Sequence, residues 1–403
     1  MLGLLGARCF LGVLVVLFLF GLFPGLFGGT SVCTADDVAG HVAGRLVLDR
    51  AGWRVERLGP LVDLPRTARA SDGSEVAVSG VSGITWLGGD RYAAVMDNAP
   101  ALVRVTVAFG PSGESRAPPV VEALPLGASH DYEDLAAWPP PAEDAADDAV
   151  VRRLFIGEED TPAVRSCHWP TPALDGGLRL PAVFRRRRPN RGVEAVAADP
   201  DGVHVWAANE EALETDGPAP SADSGTVVRI VKMPIAVPAE PARRAAQTAY
   251  PVAPPHRFVG VSGIAVHSGV VALVALGSGR LLVLERAGCP GLPPFSNRIT
   301  LVDTTTAPDV AAIDRDLDRH PDAQVAPVPL WVGTVHANLE GLCLGPPLHP
   351  GRLLLGVTDD GGGGLPSALV AFRLLRPGEG TPEPDRGEAP AADREAESPP
   401  TSP

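Results

Sequence analysis

Apolar residues along this chain come in short, nearly continuous runs, such as Arg91-Tyr92-Ala93-Ala94-Val95-Met96, Arg229-Ile230-Val231 and Leu281-Leu282-Val283-Leu284, each bounded by Gly, Pro, Asp or Asn. Runs of this length suit strands buried on both faces, and no window carries a sustained helical stripe. The runs also recur in a fixed setting. A short apolar turn follows a small or acidic position at Ser82-Gly83-Ile84-Thr85, Glu133-Asp134-Leu135-Ala136, Glu194-Ala195-Val196-Ala197, Ser262-Gly263-Ile264-Ala265 and Glu340-Gly341-Leu342-Cys343. Each is followed by a strand that ends in a carboxylate: Tyr92 to Asp97, Leu154 to Glu159, Val203 to Glu210, Leu281 to Glu285 and Leu353 to Asp360. Self-similarity at intervals of roughly 50 to 80 residues predicts an array of similar supersecondary units. Short strands in such an array predict an all-β propeller. Five repeats are visible, and pairing of an N-terminal strand near Trp53 to Leu58 with the final strand near Ala368 to Leu374 would close a further blade, so six blades are expected across residues 45–376.

Composition supports one large repeat domain. The 403 residues are 45% hydrophobic, and 45 Gly with 43 Pro are too many for a largely helical protein. Pro139 to Asp148 and Val237 to Pro255 read as loop insertions that stretch the repeat. After Arg376 the chain turns to Pro, Glu, Asp, Ala and Ser without periodicity, so residues 377–403 are expected to form a disordered tail. Nothing in the pattern asks for a second copy, and a monomer is expected.

At the N-terminus Arg8 precedes the apolar run Cys9 to Phe27, which predicts an export signal or membrane anchor over residues 1–35 and a working place that is secreted or in the cell envelope. An anchor would be the chain's sole contact with a membrane. Cys33, Cys167, Cys289 and Cys343 remain, an even number that allows three disulfide connectivities in an oxidising compartment. With no C-x-x-C pair, thiolate zinc and thioredoxin-like chemistry lack support.

A formal charge of −14 argues against nucleic acid and points to cations as partners. Equivalent positions on successive blades face one end of the central channel, so Glu133, Glu194 and Glu340 are expected to converge there. Asp97, Glu158 or Glu159, Glu210, Glu285 and Asp359 would form a second ring. Converging carboxylates either acquire raised pKa values or hold hard cations such as Ca²⁺. The adjacent acids Asp359-Asp360 and Glu158-Glu159-Asp160 could share one cation, or could be solvated turns. Each Glu of the first ring could instead accept backbone N–H groups from the neighbouring blade and simply fix its closure.

Arg185 to Arg188, with Arg191 behind, form the one strong basic cluster. Arg187, Arg188 and Arg191 could hold a substrate phosphate through bidentate contacts, the alternative being a solvated loop. His130 and His336 precede Glu133 and Glu340 by three and four positions and could serve as proton donors or substrate contacts. Ser82 and Ser262 lack the second flanking glycine of a nucleophile elbow, and no Walker loop, dinucleotide fingerprint or zinc-protease helix occurs.

Taken together, Ser82-Gly83-Ile84 with Asp97, Asp131-Tyr132-Glu133 with Glu158, Asn190 to Ala195 with Glu210, Leu281 to Arg286, and Asn338 to Gly341 with Thr358-Asp359-Asp360 resemble the phytase-like domain, also described as the esterase-like domain of phytase. The resemblance spans Arg57 to Arg373. It implies a secreted β-propeller whose repeated Glu and Asp carry phosphomonoesterase or phosphodiesterase activity on a small phosphorylated substrate. Two departures stand out: Gly361 to Gly364 follow Asp360 where an Asn is common, and the fourth repeat carries an extra apolar stretch at Val270 to Ala275. The leading expectation is a metal-assisted hydrolase with Glu133, Glu194 and Glu340 as catalytic carboxylates and Asp97, Glu158, Glu210, Glu285, Asp359 and Asp360 holding Ca²⁺. A non-enzymatic binding propeller and a calcium-dependent lactone or carboxylic-ester hydrolase are the alternatives.

Overall fold

A computed structural model describes residues 45–46, 52–97, 99, 101–127, 130–235, 245–256, 266–335, 337–360 and 366–379. The expected export segment, the tail beyond residue 379, Cys33, Ser262, His336 and the run Gly361 to Gly364 lie outside them. Within the described residues the chain forms five sheets arranged as the blades of a propeller, antiparallel except where Thr67–Ala70 runs parallel to Val120–Pro125. Their inner strands are Val81–Gly88, Tyr132–Trp138, Val193–Ala198, His267–Gly277 and Asn338–Pro347. Each touches the inner strand of the next blade, and the last touches the first, which closes the ring.

The expectation of six blades is corrected to five. The anticipated pairing exists: Arg54–Asp63 runs antiparallel to Ala368–Leu375. It supplies the outermost strand of the fifth blade, whose other three strands come from the C-terminal end. A sixth blade would need a sheet of its own, and the described residues form five. The closing strand therefore ties the two ends of the domain together.

Five interfaces between blades hold five apolar cores. Leu87, Leu102, Leu135 and Leu154 fill the first-to-second interface, and Phe155, Val193, Val205 and Val231 the second-to-third. Trp206, Ile230, Leu273 and Leu281 follow, then Leu284, Leu339, Leu354 and Phe372, then Ile84, Tyr92, Leu353 and Leu355. Because every sheet is covered on both faces, its strands are apolar on both faces, which is why the sequence shows continuous runs rather than alternation.

The cysteine expectation is also corrected. Cys167, Cys289 and Cys343 are free thiols. Cys167 and Cys343 are buried on different blades, so packing rather than cross-linking holds these sheets.

Candidate functional site

Each inner strand carries a β-bulge at the same place near its start. Pairing with the second strand jumps from Val81 to Gly83, from Tyr132 to Leu135, from Val193 to Ala195, from Val270 to Ala272 and from Leu339 to Gly341. A bulge turns the unpaired residue out of the ladder, a device found beside active sites. The bulged residues are Ser82, Glu133 (with Asp134 behind it), Glu194, Val271 and Glu340. On the facing strands, the residues just beyond the bulge are Asp97, Glu159, Glu210, Arg286 and Asp359. These two sets are the rings anticipated from the repeat, with the fourth blade read differently. Its bulge residue is Val271, buried in the core between the fourth and fifth blades. The stretch Val270 to Ala275, which looked like an insertion, is the inner strand itself.

Close approach of the blades explains a glycine beside two bulges. A Cβ on Gly83 would lie 2.6 Å from the Asp134 Cα, and one on Gly192 would lie 2.5 Å from the Glu159 carbonyl oxygen. Asp134 uses that proximity: its buried carboxylate accepts the N–H of Leu135 at 2.8 Å and of Val196, on the third blade, at 2.9 Å. Ser82 makes the matching link, donating from Oγ to the Tyr132 carbonyl at 3.0 Å.

Around Arg286 the acids form a connected group. Its Nη2 meets Glu210 Oε1 at 2.9 Å, and its Nη1 bonds Glu340 Oε1 and, at 3.1 Å, Asn338 Oδ1. Asn338 Nδ2 donates to Glu340 Oε1 at 2.8 Å and to Asp359 Oδ2 at 3.1 Å. Arg191 approaches from the third blade, with Nη1 2.8 Å from Glu210 Oε2 and Nε 3.2 Å from Glu211 Oε1. Glu210 is thus clamped between two guanidinium groups. Burial opposes the charge on Arg286, but Glu340, Glu210 and Glu194 together push its pKa further up.

On the second and third blades the acids meet with less relief. Oxygen atoms of Asp131, Glu133 and Glu159 lie within 4.8 Å of one another, as do those of Glu159, Glu194 and Glu210. Glu159 Oε1 accepts the Gly192 N–H at 3.0 Å. Glu194 is 6% exposed and feels the positive charge of Arg286 as well as the negative charges around it. Burial first, then the neighbouring carboxylates, holds Glu133 and Glu194 well above the usual carboxylate range. Burial raises Glu159 to about 7 and Glu340 to about 8, in each case against partners that pull the other way. A set made only of carboxylate oxygens suits a hard cation of the Ca²⁺ kind.

A family model described as phytase-like, esterase-like activity of phytase, matches residues 76–362. The chain belongs to this family. Among curated proteins none matches it. A crystal structure of a protein from Lactobacillus plantarum aligns over 76% of this chain and 93% of its own, at 10% identity and a TM-score of 0.32.

In this phytase-like propeller the residues singled out from the sequence divide. Glu133, Glu194, Glu340, Asp97, Glu210 and Asp359 sit on the two rings, and Arg191 reaches them. Glu285 is one residue short of the ring: its carboxylate accepts the Tyr250 hydroxyl and the Ala253 N–H, the latter at 3.1 Å. Glu158 is likewise offset, facing His130 at 3.1 Å and paired with Arg165. Asp360 accepts the Gly80 N–H at 3.2 Å and the Ser79 hydroxyl at 3.3 Å, linking the fifth blade to the first. Arg187 donates to the carbonyls of Glu159 and Asp160, and Arg188 to those of Ala212 and Gly217, at 3.1 and 2.7 Å for Arg188. Arg286, Asp131 and Asn338 carry weight that the sequence reading did not assign them. The signal for Arg286 was the tight Gly277-Ser278-Gly279 turn, because counting back along the hairpin puts Arg286 opposite Gly269, where the other blades have acids.

At the other end of the channel lies a cavity of about 430 Å³, walled by Trp86, Val196, Val274 and Cys343 among others, with Glu143, Arg352 and Arg376 at its rim. It contains none of the acids.

Proposed function

We propose that this phytase-like protein hydrolyses a phosphate ester at the acidic end of its channel. The observation that supports this most is the gathering of carboxylates from four blades around two arginines, combined with membership of the family. Scattered acids, each bound to its own backbone donor, would have favoured a purely structural role. Asp134, Glu285 and Asp360 fit that description, as does Glu159 through the Gly192 N–H; Glu210 and Glu340 are held by arginine side chains instead.

The cation would be held by carboxylates of the second and third blades. When bound, a hard cation polarises a phosphoryl oxygen and lowers the pKa of bound water. Arg191, with 19% of its side chain exposed, is the basic residue best placed to meet an anionic substrate. Glu340 suits proton donation to the departing ester oxygen. Its Oε1 is engaged by Arg286 and Asn338, which leaves Oε2 to carry a proton, and a pKa near 8 keeps that proton available at neutral pH. One ring carboxylate that the cation leaves free accepts the proton of the attacking water. The P–O bond to the new hydroxyl forms as the ester P–O bond breaks, and the two proton transfers leave a free alcohol and phosphate.

The apolar N-terminal run supports action outside the cytoplasm. Among the described residues no helix is long and apolar enough to cross a membrane.

The test is an assay of the purified full-length chain on chromogenic phosphomonoester, phosphodiester and carboxylic-ester substrates, with calcium or with chelator. Calcium-dependent release from a phosphate ester is expected. Turnover confined to the carboxylic ester would move the protein to the lactone or ester hydrolases, and no turnover at all would leave a binding propeller.

A further inference from the structure

The two ends of the channel differ in chemistry. Carboxylates and guanidinium groups gather at one end. The other is the open cavity of about 430 Å³, whose wall is built from the inner strands of all five blades. Leu276 and Leu344, in that wall, are only half-buried, so apolar surface meets solvent there. A concave, largely apolar site with a few converging polar groups is the usual form of a small-molecule pocket.

The rim specifies the charge of the ligand. Among the described residues that line the cavity the charged ones are Glu143, Arg352 and Arg376, so the rim keeps a net positive charge on a chain of formal charge −14. Arg352 is fixed in place: its Nε donates to the Gly345 carbonyl at 2.7 Å, its guanidinium lies 5.5 Å from the centroid of the Trp86 ring, and 13% of its side chain is exposed. Glu143 is held less firmly. It stands on the loop from Pro139 to Asp148 with about half of its side chain exposed, and its Oε1 takes both Arg352 Nη1, at 3.2 Å, and Arg376 Nη2. An exposed ion pair contributes little and gives way to a competing anion. Glu143 thus shows what the two guanidinium groups accept, a carboxylate. A ligand that carries a carboxylate on an apolar body adds burial in the cavity, which Glu143 lacks.

We propose that this end of the channel binds a small amphipathic carboxylate, with its apolar body among the inner strands and its head group on Arg352 and Arg376 in place of Glu143. The site needs no metal ion and does not depend on turnover at the acidic end.

Octanoate binding to the full-length protein, followed by calorimetry and by displacement of the dye anilinonaphthalene sulfonate, tests this. One equivalent is expected, equally with calcium and with chelator. Octanol, of the same length without the charge, should bind at least about tenfold more weakly, and Arg352→Gln should lose a similar factor, as for a charge-assisted hydrogen bond. Ala198→Phe, which fills part of the wall, should abolish binding. Glu143→Gln should bind about threefold more tightly, because the competing carboxylate is gone. Glu340→Gln, at the acidic end, should bind as the wild type does. No saturable binding, octanol held as tightly as octanoate, or weaker binding in Glu143→Gln would each overturn the proposal. So would binding seen only after residues 380–403 are removed, since the chain's own tail would then be the occupant. Ala198→Phe and Glu143→Gln decide the matter even if Arg352→Gln fails to fold.

Discussion

Glu340 shows how one side chain can be held for proton transfer by its neighbours. Arg286 and Asn338 grip one oxygen, while burial and the nearby Asp359 and Asp97 favour the protonated acid. Glu340→Gln should therefore lower kcat on a phosphate ester by about a hundredfold with little change in KM, because a positioned acid typically contributes that much. Arg191 and its upstream neighbours divide differently. Arg191→Ala should raise KM about tenfold, whereas Arg187→Ala should lower the melting temperature and leave KM nearly unchanged, since its donors already serve the carbonyls of Glu159 and Asp160. Michaelis parameters measured beside thermal melts separate these outcomes. A pH dependence belongs to the same residues. Glu340 and Glu159 have folded-state pKa values raised above the ordinary 4.5, so between 4.5 and about 8 the folded protein holds protons that the unfolded chain releases. Their contribution to stability is complete below 4.5 and is lost as pH rises through about 7 and 8. Melting in chelator should fall from pH 5 to pH 8, and saturating calcium should flatten that fall by binding the ionised form.

At the level of elements, the inner strand is the unit that carries both fold and chemistry. Its bulge turns one residue out of the ladder while the following residues pack against the next blade. The repeat in the sequence located this bulge correctly on four blades, because Ser82, Glu133, Glu194 and Glu340 each open an apolar turn. The fourth blade escaped, since Ser262 precedes a similar tripeptide and Val271 carries no polar mark. Offsets of one residue at Glu158 and Glu285 have a related cause: strands apolar on both faces give no alternation from which to read which terminal residue faces the channel. Gly83→Ala should disturb the bulge by forcing a Cβ against the Asp134 backbone, with destabilisation of about 1–3 kcal/mol as for other overpacked sites. Denaturant unfolding would read it, and an unaltered midpoint would show that the blades can part there at no cost.

Across the whole molecule, closure depends on the N-terminal strand. Arg54–Asp63 completes the fifth blade, and Val55 packs in the same core as Leu354 and Phe372. A chain beginning after residue 63 should lose cooperative unfolding and expose the edge of Ala368–Leu375 to pairing with other copies, seen as a broadened melt and as aggregation. A soluble monomer melting as sharply as the full chain would refute that role. Leu354→Ala, at the centre of that core, should cost about 2–5 kcal/mol by cavity formation.

By itself the sequence determined the all-β class, the repeat, the pairing of the chain's two ends and most of the ring acids, because each is a local matter of run length, turn residues and a recurrent position. Tertiary structure alone decided the number of blades and the identity of Arg286 as counter-cation. Blade count depends on whether the terminal strands complete a sheet or begin one, and local pattern is the same in both cases. Arg286 acquires its meaning only when Glu210 and Glu340, more than a hundred residues apart, are brought to either side of it.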